Sequence, residues 1–253
     1  MLLVVDIGNT NITLGIFNKE YLIDTLRLTS DKNFTEKEYE ILLKSLCEKY
    51  NISSCVIGSV FEELNLTIKQ AVDNVFNINS LLISKHSKFG IDILLKNPET
   101  VGIDRIANAV YAKENYQLPA IIVDIGTAIT FDVVSKDKIF LGGAIMPGIN
   151  MQLDALSKNT SKLPKIEPKF SEKAIGNSTE NAILSGVMRG IACAVEGLIK
   201  QCEIELFDKA TIVATGGQCE LVAEYLSRKF DFVDKAITLK GLKIFYELNK
   251  KLN

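Results

Sequence analysis

Short apolar runs at strand spacing open the chain and return near its middle. Residues 2–6, 12–17 and 22–28 read as three strands joined by short turns, which predicts an antiparallel meander. The period then changes to a helix over 36–49, a strand at 55–59, a helix over 61–76 and a strand at 80–84. Alternation of strand and helix predicts parallel additions to the same sheet. From residue 120 the order repeats, with strands near 120–124, 129–134 and 139–145 and helices near 150–157 and 179–202. A strand at 211–215, a helix at 218–228, a strand near 232–237 and a last helix at 241–249 complete it. Between the halves lie residues 89–105, which include Pro98, and a helix over 106–116 ahead of Pro119. The boundary is therefore expected near residue 117, giving domains 1–117 and 118–253. They should pack directly, because no low-complexity or Gly/Ser linker separates them.

The repetition extends to single residues. Val5-Asp6-Ile7-Gly8 returns as Val123-Asp124-Ile125-Gly126, each followed by a small polar residue, Asn9 or Thr127. An Asp that ends a buried strand, with a glycine turn behind it, brings a carboxylate and free backbone N–H groups to one point. That arrangement suits a metal-bound phosphate, and two such points facing each other would make a nucleotide cleft. Ordinary Asp/Gly turns would use the same residues. Thr215-Gly216-Gly217 follows a strand and precedes a helix, where an anion or a nucleotide sugar is favoured, although a plain tight turn fits equally. The longest helix has an apolar stripe through Ile183, Val187, Ile191, Val195 and Ile199, yet it also carries Gly186, Gly190 and Gly197. Each glycine costs roughly 1 kcal/mol of helix propensity relative to Ala, which points to close approach by another backbone. The sheet beneath is the expected neighbour, with a partner subunit or a ligand as alternatives.

Charge narrows the partners. With 29 Lys and Arg against 31 Asp and Glu, the net charge of −2 gives no electrostatic support for nucleic acid. No basic-then-apolar leader opens the chain, and no uncharged apolar stretch reads as long enough to cross a membrane. Five cysteines, odd in number and without metal-site spacing, read as reduced thiols in a cytoplasm. His86, the one histidine, sits in a polar stretch and is expected on an exposed loop. The P-loop pattern, the G-x-G-x-x-G pattern after a strand and the protein-kinase motif set are all missing.

Taken together, the paired Asp-x-Gly turns, the run from Gly142 to Gly148 and Thr215-Gly216-Gly217 resemble the two phosphate loops and the adenosine loop of the actin, sugar kinase and heat-shock ATPase superfamily. The resemblance implies an α/β fold: two tandem ribonuclease-H-like domains, an actin-like ATPase duplication with mixed sheets flanked by helices. Within that superfamily the chain resembles type III pantothenate kinases over nearly its whole length. The motifs are Asp6-Ile7-Gly8-Asn9-Thr10-Asn11, Asn97-Pro98, Val101-Gly102-Ile103-Asp104-Arg105, Asp124-Ile125-Gly126-Thr127-Ala128, Leu163-Pro164, Ser178-Thr179 and Leu239-Lys240-Gly241-Leu242.

That resemblance implies ATP-dependent phosphorylation of pantothenate to 4′-phosphopantothenate, the first step of coenzyme A biosynthesis. It also implies Mg2+, a monovalent cation (K+ or NH4+) and a homodimer formed through the long helix. Residue by residue, it makes Asp6, Ile7, Gly8, Asn9, Thr10, Asn11, Ile12 and Thr13 the first phosphate loop, with Asp6 acting on Mg2+ directly or through water. Asp124 falls at the monovalent-cation position and Thr127 at an ATP contact. Gly102, Ile103, Asp104 and Arg105 match the pantothenate turn, with Asp104 as general base and Arg105 on substrate or a phosphoryl oxygen. Thr179 matches a substrate contact supplied by the partner subunit. Read alone, Asp104 could be a helix N-cap, Arg105 a solvated first-turn residue and Ser178-Thr179 a cap.

Two positions depart from the family pattern. Leu95 stands where many members have a Tyr near the pantothenate amide, and Asn177 where a Lys often precedes Ser-Thr. A catalytically weak accessory or regulatory relative, or a kinase for another small alcohol, are the alternatives. The presence of Asp6, Asp104, Arg105 and Asp124 argues against loss of turnover.

Overall fold

The computed structural model of the chain describes residues 1–250. These form two compact units, each assembled from more than one stretch of sequence. The first comprises residues 1–91, 96–111 and the C-terminal segment from 236; the second comprises 92–95 and 112–235.

In the first unit β1 (Leu2–Ile7), β2 (Asn11–Asn18) and β3 (Tyr21–Thr29) form the expected meander. β4 (Ser54–Ser59) joins β1 in parallel and β5 (Leu81–Leu82) follows, giving the order β3-β2-β1-β4-β5. α1 (Glu36–Cys47) and α2 (Asn65–Phe76) lie on one face, with Tyr39, Leu43, Ile68 and Val72 buried against Leu3, Val5 and Ile57. α1 begins with a capping box in which Thr35 and Glu38 satisfy each other's backbone N–H groups.

The other face of this sheet is covered by α7 (Ile237–Asn249), the last helix of the chain. β1 is apolar at Leu2, Leu3, Val4 and Val5, so both its faces must be covered. Glycines set how close α7 comes. Side chains Leu239 and Leu242 occupy the space that Cβ atoms on Gly15 and Gly58 would fill. A Cβ on Gly241 would lie 2.0 Å from the Ala107 carbonyl oxygen of α3 (Ile103–Asn115). The expected single cut near residue 117, with the last helix in the second half, is thus replaced by a division in which the chain's end returns to the first sheet. The expected outer bound, residue 253, lies outside the described residues.

The second unit repeats the first. β7 (Ala120–Ile125), β8 (Ala128–Val134) and β9 (Ile139–Pro147) form a meander, with β10 (Thr211–Thr215) parallel to β7 and β11 (Phe232–Val233) beyond it. The order β9-β8-β7-β10-β11 therefore matches that of the first sheet. One strand is additional: β6 (Asp92–Ile93), in a segment read as a connector, pairs in parallel with β9. α4 (Ile149–Lys158), α5 (Thr179–Leu206) and the short α6 (Cys219–Ala223) cover one face of this sheet.

α5 revises two expectations. It is a helix long and apolar enough to cross a membrane by length and composition, but half of its apolar window is buried within the unit, as in a core helix. Gly186, Gly190 and Gly197 do not face the sheet. All three are exposed, and a Cβ on any of them would meet nothing within 4 Å. His86 lies in an exposed turn, as expected, and all five cysteines are free.

Candidate functional site

In the first unit the residues singled out by the sequence motifs gather at the C-terminal ends of β1 and β4. Asp6 is the penultimate residue of β1, partly buried, and is paired across the sheet with Thr13 of β2. The chain then turns through Gly8, Asn9 and Thr10. The Gly8 N–H donates to the Asn11 carbonyl at 3.0 Å, and Ser30 Oγ donates to the Gly8 carbonyl at 2.6 Å. Asn9, Thr10 and Asn11 are left exposed on this fixed turn. Ser30 holds it from outside the motif and carries no signal of that role in the sequence.

The turn at Gly102-Ile103-Asp104-Arg105 docks at the same sheet end. Val60, just past β4, donates its N–H to the Ile7 carbonyl at 3.0 Å and lies 3.2 Å from where a Cβ on Gly102 would be. That same Cβ would be 2.4 Å from Asp104 Oδ1, so Gly102 makes room for the carboxylate. α3 starts at Ile103, three residues earlier than the sequence suggests, so Asp104 lies inside the first turn and the cap position falls to Gly102. The N-cap reading of Asp104 is corrected accordingly. Its Oδ1 accepts the Arg105 N–H at 2.8 Å, and the N–H groups of Arg105 and Ile106 both donate to the Gly102 carbonyl. Burial pushes the Asp104 carboxyl above its ordinary pKa, outweighing the Arg105 hydrogen bond and charge that pull it down.

In the second unit three glycine turns meet at the end of β7. Asp124 is paired with Thr130 of β8 on one side and Thr215 of β10 on the other. The Gly126 N–H closes the β7–β8 turn onto the Ala128 carbonyl at 3.0 Å, leaving Thr127 exposed at its tip. Gly148 donates to the Thr127 carbonyl at 3.0 Å, and a Cβ there would lie 2.3 Å from that oxygen. Gly216 has φ +86°, and its absent Cβ leaves the space 2.5 Å from Asp124 Oδ1. Thus Gly148 and Gly216, which the sequence places in nucleotide-loop motifs, pack closely around the Asp124 turn.

Leu95 belongs to the second unit, where its Cδ2 lies 2.7 Å from the position a Cβ on Gly142 would take, whereas Gly102, Ile103, Asp104 and Arg105 belong to the first. Thr179 opens α5 and lines a cleft of about 430 Å³ with Leu156, Leu163, Ala182, Ile183 and Gly186. Ser178 caps the helix by accepting the Asn181 N–H at 3.2 Å. Asn177 accepts from the Asn181 side-chain amide at 2.9 Å.

Cations would find oxygen donors at both strand ends. No group of three or more His, Cys, Asp or Glu side chains gathers among the described residues. A cation held at either carboxylate would need further oxygen ligands from outside these side chains.

Similarity to known proteins identifies the family. Residues 2–201 match the type III pantothenate kinase family. A type III pantothenate kinase of Finegoldia magna is 43% identical, covering 99% of this chain and 98% of its own. One from Exiguobacterium is 37% identical over 99% of this chain and 100% of its own. Among solved structures, a conserved protein assigned to a Baf family of transcriptional activators from Campylobacter jejuni has a TM-score of 0.65 at 23% identity, covering 98% and 99% of the two chains. A ROK family glucokinase from Streptomyces griseus, in complex with glucose and AMPPNP, has a TM-score of 0.54 at 13% identity, covering 95% and 97%. The likeness to the glucokinase, with that to MreB 5 of Spiroplasma citri (TM-score 0.54, 13% identity), shows the fold to be that of actin-like ATPases and sugar kinases.

Proposed function

The chain belongs to the type III pantothenate kinase family, and on that premise we propose how its residues divide the work of the reaction. The reaction is ATP-dependent phosphorylation of pantothenate, the first step of coenzyme A biosynthesis. The terminal hydroxyl oxygen of pantothenate bonds to the γ-phosphorus, the bond to the β,γ-bridging oxygen breaks, and ADP leaves. The hydroxyl proton goes to Asp104.

The observation that carries this assignment is the setting of Asp104: a carboxylate in the first turn of α3, with space cleared by Gly102 and its pKa raised by burial. A raised pKa brings a carboxylate closer to the pH at which it must accept a proton. Phosphoryl transfer has a loose transition state, so most of the rate comes from positioning and charge neutralisation, and Asp104 accepts its proton late. Arg105 beside it supplies a planar, permanently charged donor for substrate or phosphoryl oxygens. The exposed turn residues Asn9, Thr10 and Asn11 in one unit and Thr127 in the other would face the phosphates. A divalent cation at Asp6 and K+ or NH4+ at Asp124 would supply the positive charge that offsets the phosphates. Release of ADP from MgATP only when pantothenate is added tests the assignment, and equal rates with glycerol or simple sugars would overturn it.

Two further proposals concern binding. Leu95 packs into the notch at Gly142, so it replaces a substrate hydrogen bond with an apolar contact. The Asn177 side chain is engaged by Asn181 and adds no positive charge, so affinity for the pantothenate carboxylate should be lower than in members with Lys there. A homodimer is supported by the exposed small-residue face of α5, where Ala182, Gly186, Gly190, Cys193 and Gly197 allow a second helix to come close. Light scattering at assay concentration tests it, and an active monomer would refute it. The balanced charge and reduced cysteines fit a cytoplasmic enzyme whose partners are pantothenate, ATP and a second copy, with no nucleic acid and no membrane.

A further inference from the structure

Residues 159–178, which lead directly into Thr179, form neither helix nor strand. An irregular segment of this length inside a compact unit has to be held by side chains. Lys169 pairs with Glu180 in the first turn of α5 at 2.6 Å, and further along α5 one residue holds two strap carbonyls. Arg189 Nη2 donates to the Ser171 carbonyl at 3.0 Å and to the Glu172 carbonyl at 2.7 Å. Its guanidinium also stacks 5.1 Å from the centre of the Tyr225 ring. Tyr225 completes the clamp, because its hydroxyl accepts the Ser171 N–H at 2.5 Å while Phe170 packs on its ring. Ser185, one turn earlier on α5, donates to the Ala174 carbonyl at 2.6 Å. At Gly176 the strap presses on the start of α5, and a Cβ there would lie 2.3 Å from the Ala182 nitrogen.

We propose that Arg189 is a positioning residue for pantothenate binding: by clamping the strap at Ser171 and Glu172 it fixes the register in which Ser178 and Thr179 enter α5, and so where the Thr179 hydroxyl stands. This inference rests on the assignment of Thr179 as a pantothenate contact. The geometry favours positioning over simple stabilisation. The Arg189 guanidinium makes its hydrogen bonds to strap carbonyls and stacks on Tyr225, which itself holds Ser171, so the side chain is committed to the strap. The two carbonyls it binds lie seven and eight residues upstream of Thr179, and between them and α5 the strap is held by Ser185, by the Gly176 contact and by the Asn177 and Ser178 bonds to Asn181. Small displacements of a positioning group cost large factors in productive binding.

The test compares Arg189→Met, Arg189→Lys, Ser185→Ala and Thr179→Ala in the full-length enzyme, measuring kcat, KM for pantothenate and KM for ATP separately. Arg189→Met should raise KM for pantothenate about tenfold or more, with kcat and KM for ATP within about threefold. Arg189→Lys, which keeps a cation and a donor, should recover part of the loss, and added guanidinium should recover part of it in Arg189→Met. Trypsin should cut after the exposed Lys173 faster in Arg189→Met than in wild type. If Arg189→Met does not fold, Ser185→Ala carries the same test, with a smaller rise in KM for pantothenate alone. A raised KM in Thr179→Ala with unchanged values in the Arg189 and Ser185 variants would overturn the clamp and leave the substrate contact standing. Unchanged values in all of them would overturn the substrate contact as well. Equal losses in both KM values and kcat would show a merely structural role for Arg189 and overturn the proposal.

Discussion

Replacing Asp104 by Asn separates its chemical role from its structural one. Asn keeps the oxygen that accepts the Arg105 N–H at 2.8 Å, and its amide is close in size to the carboxylate, so the space left by Gly102 still holds it. What is lost is the charge. A carboxylate in the first turn of a helix gains about 0.3–1 kcal/mol from the helix dipole, and Asn forfeits that. Burial works the other way, since it disfavours the ionised form, and the upward shift of the pKa shows that burial outweighs the favourable contacts. For a group whose folded pKa lies above its unfolded one, the stabilisation is present when it is protonated and is lost as pH rises through the folded value. Ionising Asp104 in the folded chain therefore carries a cost, and Asp104→Asn should leave stability unchanged or slightly higher. For a chain of this size 1 kcal/mol moves Tm by about 2–4 °C, so the expected shift lies between zero and a few degrees upward.

Turnover should respond very differently. Asn cannot accept the hydroxyl proton, so kcat should fall by about 100-fold or more, close to 2.7 kcal/mol of barrier. Binding of ATP should be retained, because the glycine turns are untouched. In the wild-type enzyme kcat should fall on the acid side as Asp104 is protonated, with the midpoint above the ordinary carboxyl range, and this limb should vanish in the residual rate of the variant. Thermal melting and coupled ADP release on the same preparation check both halves. A kcat within about threefold of wild type would refute the base assignment, and a Tm lowered by many degrees would refute the account of its surroundings.

Three other outcomes follow from the packing and the strand ends. Asp124→Asn should remove most activity together with its dependence on K+ or NH4+, whereas full wild-type activity in strictly Na+ buffer would count against a cation at Asp124. Gly241→Ala would place a methyl 2.0 Å from the Ala107 carbonyl oxygen, so urea denaturation should show a loss of about 1–3 kcal/mol or more as α7 is forced off α3. Phe207→Gly should be stabilising by about 0.5–1 kcal/mol, because Phe207 ends α5 with φ +53° while its side chain is 95% exposed. A lowered Tm in that variant would show that the Phe207 ring is packed in solution.

The sequence by itself determined the repeated half. Apolar spacing placed both meanders and most helices, and Asp6 and Asp124 could be matched because each ends a strand ahead of a glycine turn, a local rule that needs no tertiary contact. Only the tertiary structure decided which unit the last helix covers. An amphipathic helix states that one face is buried but not against what, and the answer lay in the pairs Gly15–Leu239, Gly58–Leu242 and Ala107–Gly241, far apart in the chain. The same gap explains the glycines of α5: a residue without a side chain leaves no mark in the hydropathy pattern, so its direction, outward rather than toward the sheet, appears only when the helix is docked. Arg189 and Ser30 escaped the reading for a related reason. Their partners are backbone carbonyls, which every residue carries, so which one a side chain reaches is set by the folded path and not by the identity of the residue that bears it.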